Sequence, residues 1–392
     1  MTTDASRPDT KTVRLASLDA YRGFIMLLMA SGALGIPQVA KNLPGSVWST
    51  LAPWCEHVPW QGGVLWDMIQ PACRFMVGIA VPYSMAKRAA QGASMRSTLS
   101  HAFVRAFVLV LLAVLLASNH AKQTDFIFTN VLGQIGLGYF LLVLLALTGA
   151  RVQAAAFAAL LAGYWAFFAL WPLPPQDFDF SAYDMKPGDM LPGFFSHWSI
   201  HTNAAADFDR WFLNLFPREQ PIVINKGGYQ TLNFIPSLAT MLLGLMTGQW
   251  LRSDAGKWRK VGAIAAAGIV ALAAGWLAGQ FVCPVVKRIW TPSWVLWSGG
   301  WVLLMLAALY AIIDGLGWRR WTFPFTVVGM NSIAIYLMFQ VTSSWFRETL
   351  ATHGMRELFT GPYGPMWQRG SVLALMWLVL LWLYRQRIFL KI

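Results

Sequence analysis

The sequence predicts an all-α protein, a polytopic bundle of about ten transmembrane helices inserted in a lipid bilayer. Of the 392 residues, 57% are hydrophobic and only 12% are charged, whereas roughly 25% are charged in an ordinary soluble domain. Apolar windows of about 20 residues recur along the chain, and each is long enough to cross the hydrocarbon core as a helix. The 21 tryptophans suit a protein with two membrane interfaces, where indole rings concentrate.

The apolar segments divide the chain into a short tail and a membrane domain. Residues 1–18 are polar and are predicted to be a disordered cytoplasmic tail, and residues 19–392 are predicted to form the transmembrane domain. The first apolar segment follows this tail and lacks a clear small-x-small cleavage site, so we interpret it as a span rather than a signal peptide. The predicted spans are 20–38, 62–86, 99–118, 127–149, 152–172, 231–251, 259–281, 292–314, 323–343 and 369–387.

The distribution of positive charge predicts the orientation of these spans. Cytoplasmic loops carry an excess of Lys and Arg, and most basic residues of the short loops share a side with the N-terminus, as at 252–260 and 385–391. Both termini are therefore predicted to be cytoplasmic. The long loop at 173–230 is then extracytoplasmic. Because it is rich in Pro, Asp, Asn and aromatic residues, and loops of this length usually serve a function, we expect a folded cap.

Charge, cysteine spacing and motifs exclude several classes of function. The net charge of +13 lies in short runs between apolar segments rather than in one basic patch, so nucleic acid is not an expected partner. Cys55, Cys73 and Cys283 lack metal-ligand spacing, so no metal site is predicted. Cys55 and Cys283 both fall in outer loops, where a disulfide is permissible. The chain lacks Walker, HExxH and GxSxG motifs, so NTP hydrolysis, zinc proteolysis and serine hydrolysis have no support.

The segment EHVPWQGGVLWDMIQP carries a histidine followed by an aspartate within an apolar run. His57 falls at the outer end of the second predicted span, and Asp67 lies roughly 7 Å inside it at 1.5 Å per residue. An Asp at the centre of a membrane helix costs on the order of 3 kcal/mol, so such residues usually have a partner and mark a site. One interpretation is a general base, with the Asp67 carboxylate orienting the His57 imidazole. The other is an interfacial His57 beside Trp60, with Asp67 neutralised by Arg74 on the same helical face.

Two other polar stretches offer candidate binding residues. Lys287 and Arg288 in KRIWTPSW lie on the outer side, against the positive-inside trend. They are either interface anchors or part of a site for an anionic or sugar ligand. Asn331 and Ser332 in GMNSIAIY lie within a span, where they either bond between packed helices or belong to a site.

Two glutamines and their neighbours form a further group of polar candidates. Gln230, Thr231 and Asn233 lie close together where QTLNFIPS opens the sixth span, although Thr231 or Asn233 could instead cap that helix. Gln134 is the polar residue among the glycines of VLGQIGLGYF, a segment whose glycine spacing permits close helix packing.

In their order and spacing, these motifs resemble the heparan-α-glucosaminide N-acetyltransferase family of transmembrane acyltransferases and its bacterial homologues. The resemblance extends nearly from end to end of the chain. The matching segments are RLASLDAYRGFIMLLM near the N-terminus, HxxWQGxxxxD from His57 to Asp67, VLGQIGLGYF, the entry to the sixth span, PVVKRIWTPSWVL and GMNSIAIY.

The resemblance implies a membrane acetyltransferase of the bacterial inner membrane. It would move an acetyl group from cytoplasmic acetyl-CoA, the acyl donor, to an extracytoplasmic sugar or glycan acceptor. The catalytic histidine of the family falls on His57 and the aspartate that positions it falls on Asp67. The candidate substrate-binding residues are Trp60, Gln61, Gln134, Gln230, Asn233, Lys287, Trp290, Asn331 and Ser332.

The chain also departs from the family pattern, and other classes of function stay open. An asparagine closes the first span in the lysosomal enzyme, whereas the nearest equivalent here is Ala33, with Ser31 nearby. Related membrane O-acyltransferases share the LDxxRG opening but place a histidine in the first span, and this chain has none there. The alternatives are a sugar or glycolipid transporter and an inactive scaffold. The sequence leaves N- or O-acetylation open, and it is compatible with a homodimer.

Overall fold

The computed structural model describes residues 15–119 and 121–390, so most of the predicted tail lies outside the described residues. Within these residues every regular element is helical, which agrees with the predicted all-α class, and residues Gln61 and Val286 form an isolated β-bridge. The helices are α1 (Ala16–Ala30), α2 (Ile36–Asn42), α3 (Val47–Leu51), α4 (Ile69–Ala90), α5 (Met95–Ser118), α6 (Val131–Ala146), α7 (Ala150–Ala169), α8 (Ala204–Phe212), α9 (Phe234–Leu251), α10 (Lys257–Phe281), α11 (Pro292–Tyr310), α12 (Phe323–Met330), α13 (Ser332–Leu350) and α14 (Gly364–Arg385).

Several of these helices are long and apolar enough to cross a membrane. By length and composition, the described residues contain 7 such helices, or 8 if the bent pair α12 and α13 forms one span. Helix α6 is shorter, and α4, which carries the buried Arg74, is not among the 7. The chain is therefore a polytopic helical membrane protein, while the count of ten spans and the cytoplasmic position of the termini stay predictions.

Two predicted spans are interrupted, each at a residue with non-helical backbone. The first predicted span, 20–38, contains a break after α1, because Ala33 and Leu34 adopt left-handed φ angles of 56° and 48°. The span predicted at 323–343 bends by 67° between α12 and α13. Asn331 lies at this bend with φ −126° and ψ 41°.

Side chains that cap the helix N-termini fix where several helices begin. Asn130 accepts the Gly133 N–H at 3.0 Å and begins α6, and Thr291 accepts the Trp294 N–H at 3.3 Å and begins α11. Each cap satisfies a main-chain donor that the helix itself leaves unpaired. Pro292 at the first position of α11 adds a preset helical φ angle. The start of α11 matters for function because it follows the segment that carries Lys287.

Glycines bring α4 and α9 into close contact in the middle of the bundle. A Cβ atom at Gly78 would collide with the carbonyl oxygen of Met241, and one at Gly244 would collide with that of Phe75. Small residues allow the two helix backbones to pack closely. Within a membrane this van der Waals packing drives helix association, because no hydrophobic effect acts between helices there. The contact fixes the position of α4, whose N-terminal end carries the candidate site.

The long segment predicted as a cap is folded. Within 173–230 the chain forms short 3₁₀ turns and α8, and Trp198 and Ala204 are fully buried against Phe168 and Ile289. Its extracytoplasmic location stays a prediction. The three cysteines are free thiols, so the permissible disulfide is not formed. The reason is that Cys283 is buried and directs its Sγ to the Ser293 hydroxyl, 3.5 Å away, rather than to Cys55.

We expect Gly244→Ala to destabilise the protein, because the added methyl group must displace the α4 backbone at Phe75. Overpacking of this kind costs about 1–3 kcal/mol. Gly262→Ala on α10 is the matched control, since a Cβ there meets nothing within 4 Å. The melting temperature of purified protein in detergent should fall for the first variant and stay equal or rise for the second. Equal melting temperatures for Gly244→Ala and the parent protein would contradict the close contact.

Candidate active site

Two non-helical segments meet beside the N-terminal end of α4. One leads into the 3₁₀ turn Leu65–Met68, and the other is the segment 282–291 between α10 and α11. The Gly62 N–H donates to the Val285 carbonyl at 2.8 Å, next to the isolated bridge described above. A tight turn, in which the Trp290 N–H donates to the Lys287 carbonyl at 3.0 Å, then presents the Lys287 side chain to the first segment.

His57, Asp67 and Lys287 form a compact group, which we call the His-Asp-Lys cluster. Nδ1 of His57 lies 2.7 Å from Oδ1 of Asp67. The Lys287 ammonium donates to the same oxygen at 2.9 Å and lies 3.0 Å from His57 Nδ1. The other carboxylate oxygen, Oδ2, accepts the Val64 N–H at 3.2 Å. Within the cluster, both contacts of the His57 ring therefore involve Nδ1 and neither involves Nε2.

The three members of the cluster differ sharply in exposure. The Asp67 side chain is fully buried and that of Lys287 is 2% exposed, whereas 41% of the His57 side chain is accessible. Burial lowers the pKa of Lys287 to about 8, because desolvation outweighs the attraction of Asp67, and the nearby charges of Arg74 and Arg288 act in the same direction. The cluster is dry on the side of Asp67 and Lys287 and open on the side of His57.

The position of Asp67 corrects two expectations from the sequence. Helix α4 begins at Ile69 rather than near residue 62, so Asp67 lies in the 3₁₀ turn at the helix entry and not about 7 Å inside a span. The irregular path of the preceding residues, which pair with 285–286, explains the late start. The proposed neutralisation of Asp67 by Arg74 is not observed, because the ion-pair partners of Asp67 are His57 and Lys287.

Arg74 is instead buried against an indole ring. Its guanidinium lies 3.6 Å from the centre of the Trp290 ring, and its Nε and Nη1 atoms have no hydrogen-bond partner. A desolvated cation–π contact contributes roughly 2 kcal/mol, whereas burial of an unpaired ion costs several kcal/mol. The stacking alone does not offset the desolvation, and the part of the chain that the structure describes provides no anionic or carbonyl partner for Arg74.

Several predicted binding residues lie around the cluster, and most of them form hydrogen bonds that hold the neighbouring segments together. Trp60 donates its Nε1–H to the Trp198 carbonyl at 3.0 Å, which joins the His57 segment to the 173–230 segment. Asn233 donates to the Arg288 carbonyl at 2.7 Å and makes no capping bond to α9. Trp290 donates its Nε1–H to the Thr240 hydroxyl at 3.1 Å. The side chain of Gln61 is exposed next to the site.

The remaining predicted residues lie elsewhere in the fold. Gln134 donates to the carbonyls of Phe128 at 3.0 Å and Thr231 at 3.1 Å, and its 3.4 Å contact with the Gln230 carbonyl joins α6 to the entry of α9. The side-chain amide of Asn331 bonds to the C-terminal segment: it donates to the Ile388 carbonyl at 3.0 Å and accepts the Leu390 N–H at 3.0 Å. Ser332 lines a cavity. The structure therefore does not bring Gln134, Gln230, Asn331 and Ser332 to His57.

This cavity, of about 490 Å³, lies between α1, α4, α5, α6 and α13, and we call it the bundle cavity. Its wall includes Asp19 and Arg22 at the beginning of α1, Arg105 on α5, and Cys73 and Tyr336 nearer the cluster. None of these residues was predicted from the sequence to belong to a site. Two of them, Arg22 and Arg105, could have been predicted from the sequence, because each is a charged residue inside an apolar segment and such residues usually line a cavity.

The chain shows a distant relationship to one curated protein. It is 23% identical over 426 residues to the human (Homo sapiens) heparan-α-glucosaminide N-acetyltransferase, in an alignment that covers 97% of this chain. The chain spans 60% of the length of that relative. No family model matches the chain. The similarity supports a transferase at the family level and a multi-pass membrane protein.

Loss of one partner of the buried pair should destabilise the protein more than loss of both. Asp67→Ala leaves the Lys287 ammonium buried without a counter-charge, which typically costs about 3–5 kcal/mol. The double variant Asp67→Ala, Lys287→Met removes that charge as well, and we expect it to melt at a higher temperature than Asp67→Ala in detergent. His57→Ala, at the exposed edge of the cluster, serves as a control with a small change. A double variant no more stable than Asp67→Ala would contradict the pairing.

Proposed function

We propose that this protein is a membrane acetyltransferase that moves an acetyl group from cytoplasmic acetyl-CoA to a sugar or glycan on the other side of a bacterial inner membrane. The observation that carries the proposal is the 2.7 Å contact between Nδ1 of the accessible His57 and the buried carboxylate of Asp67. The distant relationship to an N-acetyltransferase supports the same reaction class.

The geometry suits His57 to act as a general base. Asp67 accepts the Nδ1–H, which leaves the lone pair on Nε2 at the opposite side of the ring, where an acceptor can approach from solvent. Lys287 donates to the same carboxylate oxygen and so favours its ionised form. A fixed ring with a free basic nitrogen is the requirement for proton abstraction by histidine.

The reaction then conserves atoms and protons. The acceptor amine or hydroxyl attacks the carbonyl carbon of the thioester while Nε2 of His57 takes the acceptor proton. The C–S bond breaks, and the imidazolium returns the proton to the departing thiolate. The products are the acetylated acceptor and free CoA, with His57 restored. A positioned base of this kind contributes roughly 10²- to 10⁴-fold to the rate.

The bundle cavity offers a place for the donor. A volume of about 490 Å³ lies within the range of small-molecule sites. Its wall extends from Asp19 and Arg22, at the predicted cytoplasmic end of α1, to Cys73. Cys73 is about 6 Å along the helix axis from Ile69, at 1.5 Å per residue, and Ile69 directly follows the 3₁₀ turn that carries Asp67. A donor that enters beside Arg22 would therefore direct its extended arm, which ends in the thioester, toward the His-Asp-Lys cluster.

We expect His57→Ala to lower acetyl transfer by at least about 10²-fold, because no other group replaces the base. Transfer of labelled acetyl groups from acetyl-CoA to a panel of amino sugars, glycans and envelope extracts measures the effect. His101→Ala, an exposed histidine on α5, is the matched control and should retain activity. Full activity of folded His57→Ala protein would refute the role of His57. Acetyl-CoA-independent movement of sugar across vesicles would instead indicate a transporter.

The rate should also decline at alkaline pH. The pKa of Lys287 is lowered to about 8, so the ammonium that stabilises the Asp67 carboxylate is present below that pH and is lost above it. We expect kcat/KM to fall as the pH rises through about 8. Lys287→Arg keeps its charge to higher pH, so its decline should move upward by at least about one unit. An alkaline limb that is identical in the two proteins would contradict this role of Lys287.

A further inference from the structure

Arg74 is a buried cation, and no Asp or Glu forms an ion pair with it among residues 15–119 and 121–390. The titratable side chains that influence it are the thiol of Cys73 and the phenols of Tyr229 and Tyr336, which are uncharged at neutral pH. The carboxylate of Asp67, seven residues earlier in the chain, is already bound by His57 and Lys287. A buried charge without a protein partner indicates a group that the ligand brings, since buried polar groups are otherwise satisfied.

The position of Arg74 is intermediate between the bundle cavity and the His-Asp-Lys cluster. Its sequence neighbour Cys73 and its spatial neighbour Tyr336 both line the cavity. On the other side, its ring partner Trp290 belongs to the same tight turn as Lys287. The guanidinium is also close enough to the cluster for its charge to help lower the pKa of Lys287.

The backbone of Trp290 supports a functional role for this arrangement. Trp290 adopts a left-handed φ of 49°, which is unfavourable for a bulky residue. The surrounding bonds hold it there, because its Nε1–H donates to Thr240 and its N–H closes the Lys287 turn. Strained residues of this kind cluster at functional sites. The strained turn places the indole face against Arg74, and among the described residues the Nε and Nη1 atoms of the guanidinium have no hydrogen-bond partner.

We propose that Arg74 binds the carbonyl oxygen of the donor thioester and stabilises the negative charge that this oxygen acquires during transfer. The inference rests on the proposed acetyl transfer and adds a residue that contacts the reacting group. As the acceptor attacks, the π electron pair of the carbonyl moves onto oxygen, where the Arg74 N–H groups stabilise it. The pair returns to carbon as the C–S bond breaks, and Arg74 keeps its protons throughout.

A donor analogue that lacks only the carbonyl oxygen tests this assignment. We would measure the binding of acetyl-CoA and of the thioether S-ethyl-CoA to the full-length protein in detergent. The parent protein should prefer acetyl-CoA by roughly tenfold or more, as expected for a hydrogen bond from a charged donor. In Arg74→Met the preference should fall to about one, and the kcat for acetyl transfer should fall by about 10²- to 10³-fold. Arg74→Lys, which keeps the cation, should recover part of both effects.

Arg252→Met is the matched control, because Arg252 also lies over an aromatic ring, that of Tyr83, at 5.8 Å, outside the wall of the cavity. It should keep both the preference and the kcat. An unchanged preference in Arg74→Met, or equal weakening of both ligands, would overturn the inference while leaving the proposed function intact. If the parent protein neither binds acetyl-CoA nor transfers acetyl groups, the proposed function itself fails.

Discussion

The buried carboxylate of Asp67 sets the main constraint on this structure. An ionised carboxylate without exposure is costly unless charged or polar partners surround it, and here the partners are the Lys287 ammonium, the His57 ring and one main-chain N–H. Lys287 is 220 residues away along the chain. The segment 282–291 must therefore return to the entry of α4, which fixes the start of α11 and the pairing of residues 285–286 with the His57 segment.

The charges around this carboxylate do not balance. Lys287 and His57 share Asp67, and the buried Arg74 has no hydrogen-bond partner for Nε or Nη1 within the described residues. A dry, positively charged region suits a reaction in which oxygen gains negative charge, because fixed donors are more effective in the absence of water. The exposed edge of His57 suits the acceptor. The donor and the acceptor would thus approach the cluster from different directions, the first through the bundle cavity and the second from solvent.

The similarity to the human N-acetyltransferase is weak but extended. Because the 23% identity extends over 97% of the chain, the similarity covers nearly all of the helices and not a single motif. The reaction proposed here depends on that similarity for its class and on the geometry of the cluster for its chemistry. The two kinds of observation are independent, because a histidine positioned by a carboxylate can transfer protons in any fold.

The sequence by itself determined the helical membrane architecture and the proximity of His57 to Asp67. Apolar runs are a local property of the sequence. His57 and Asp67 are only ten residues apart in the chain, so a contact between them can be predicted without knowledge of the tertiary structure. Only the tertiary structure decided that Lys287, rather than Arg74, neutralises Asp67, that α4 begins at Ile69, and that the chain bends at Asn331. These features depend on which distant segments meet, and hydrophobic periodicity carries no information about the pairing of polar groups between loops far apart in the chain.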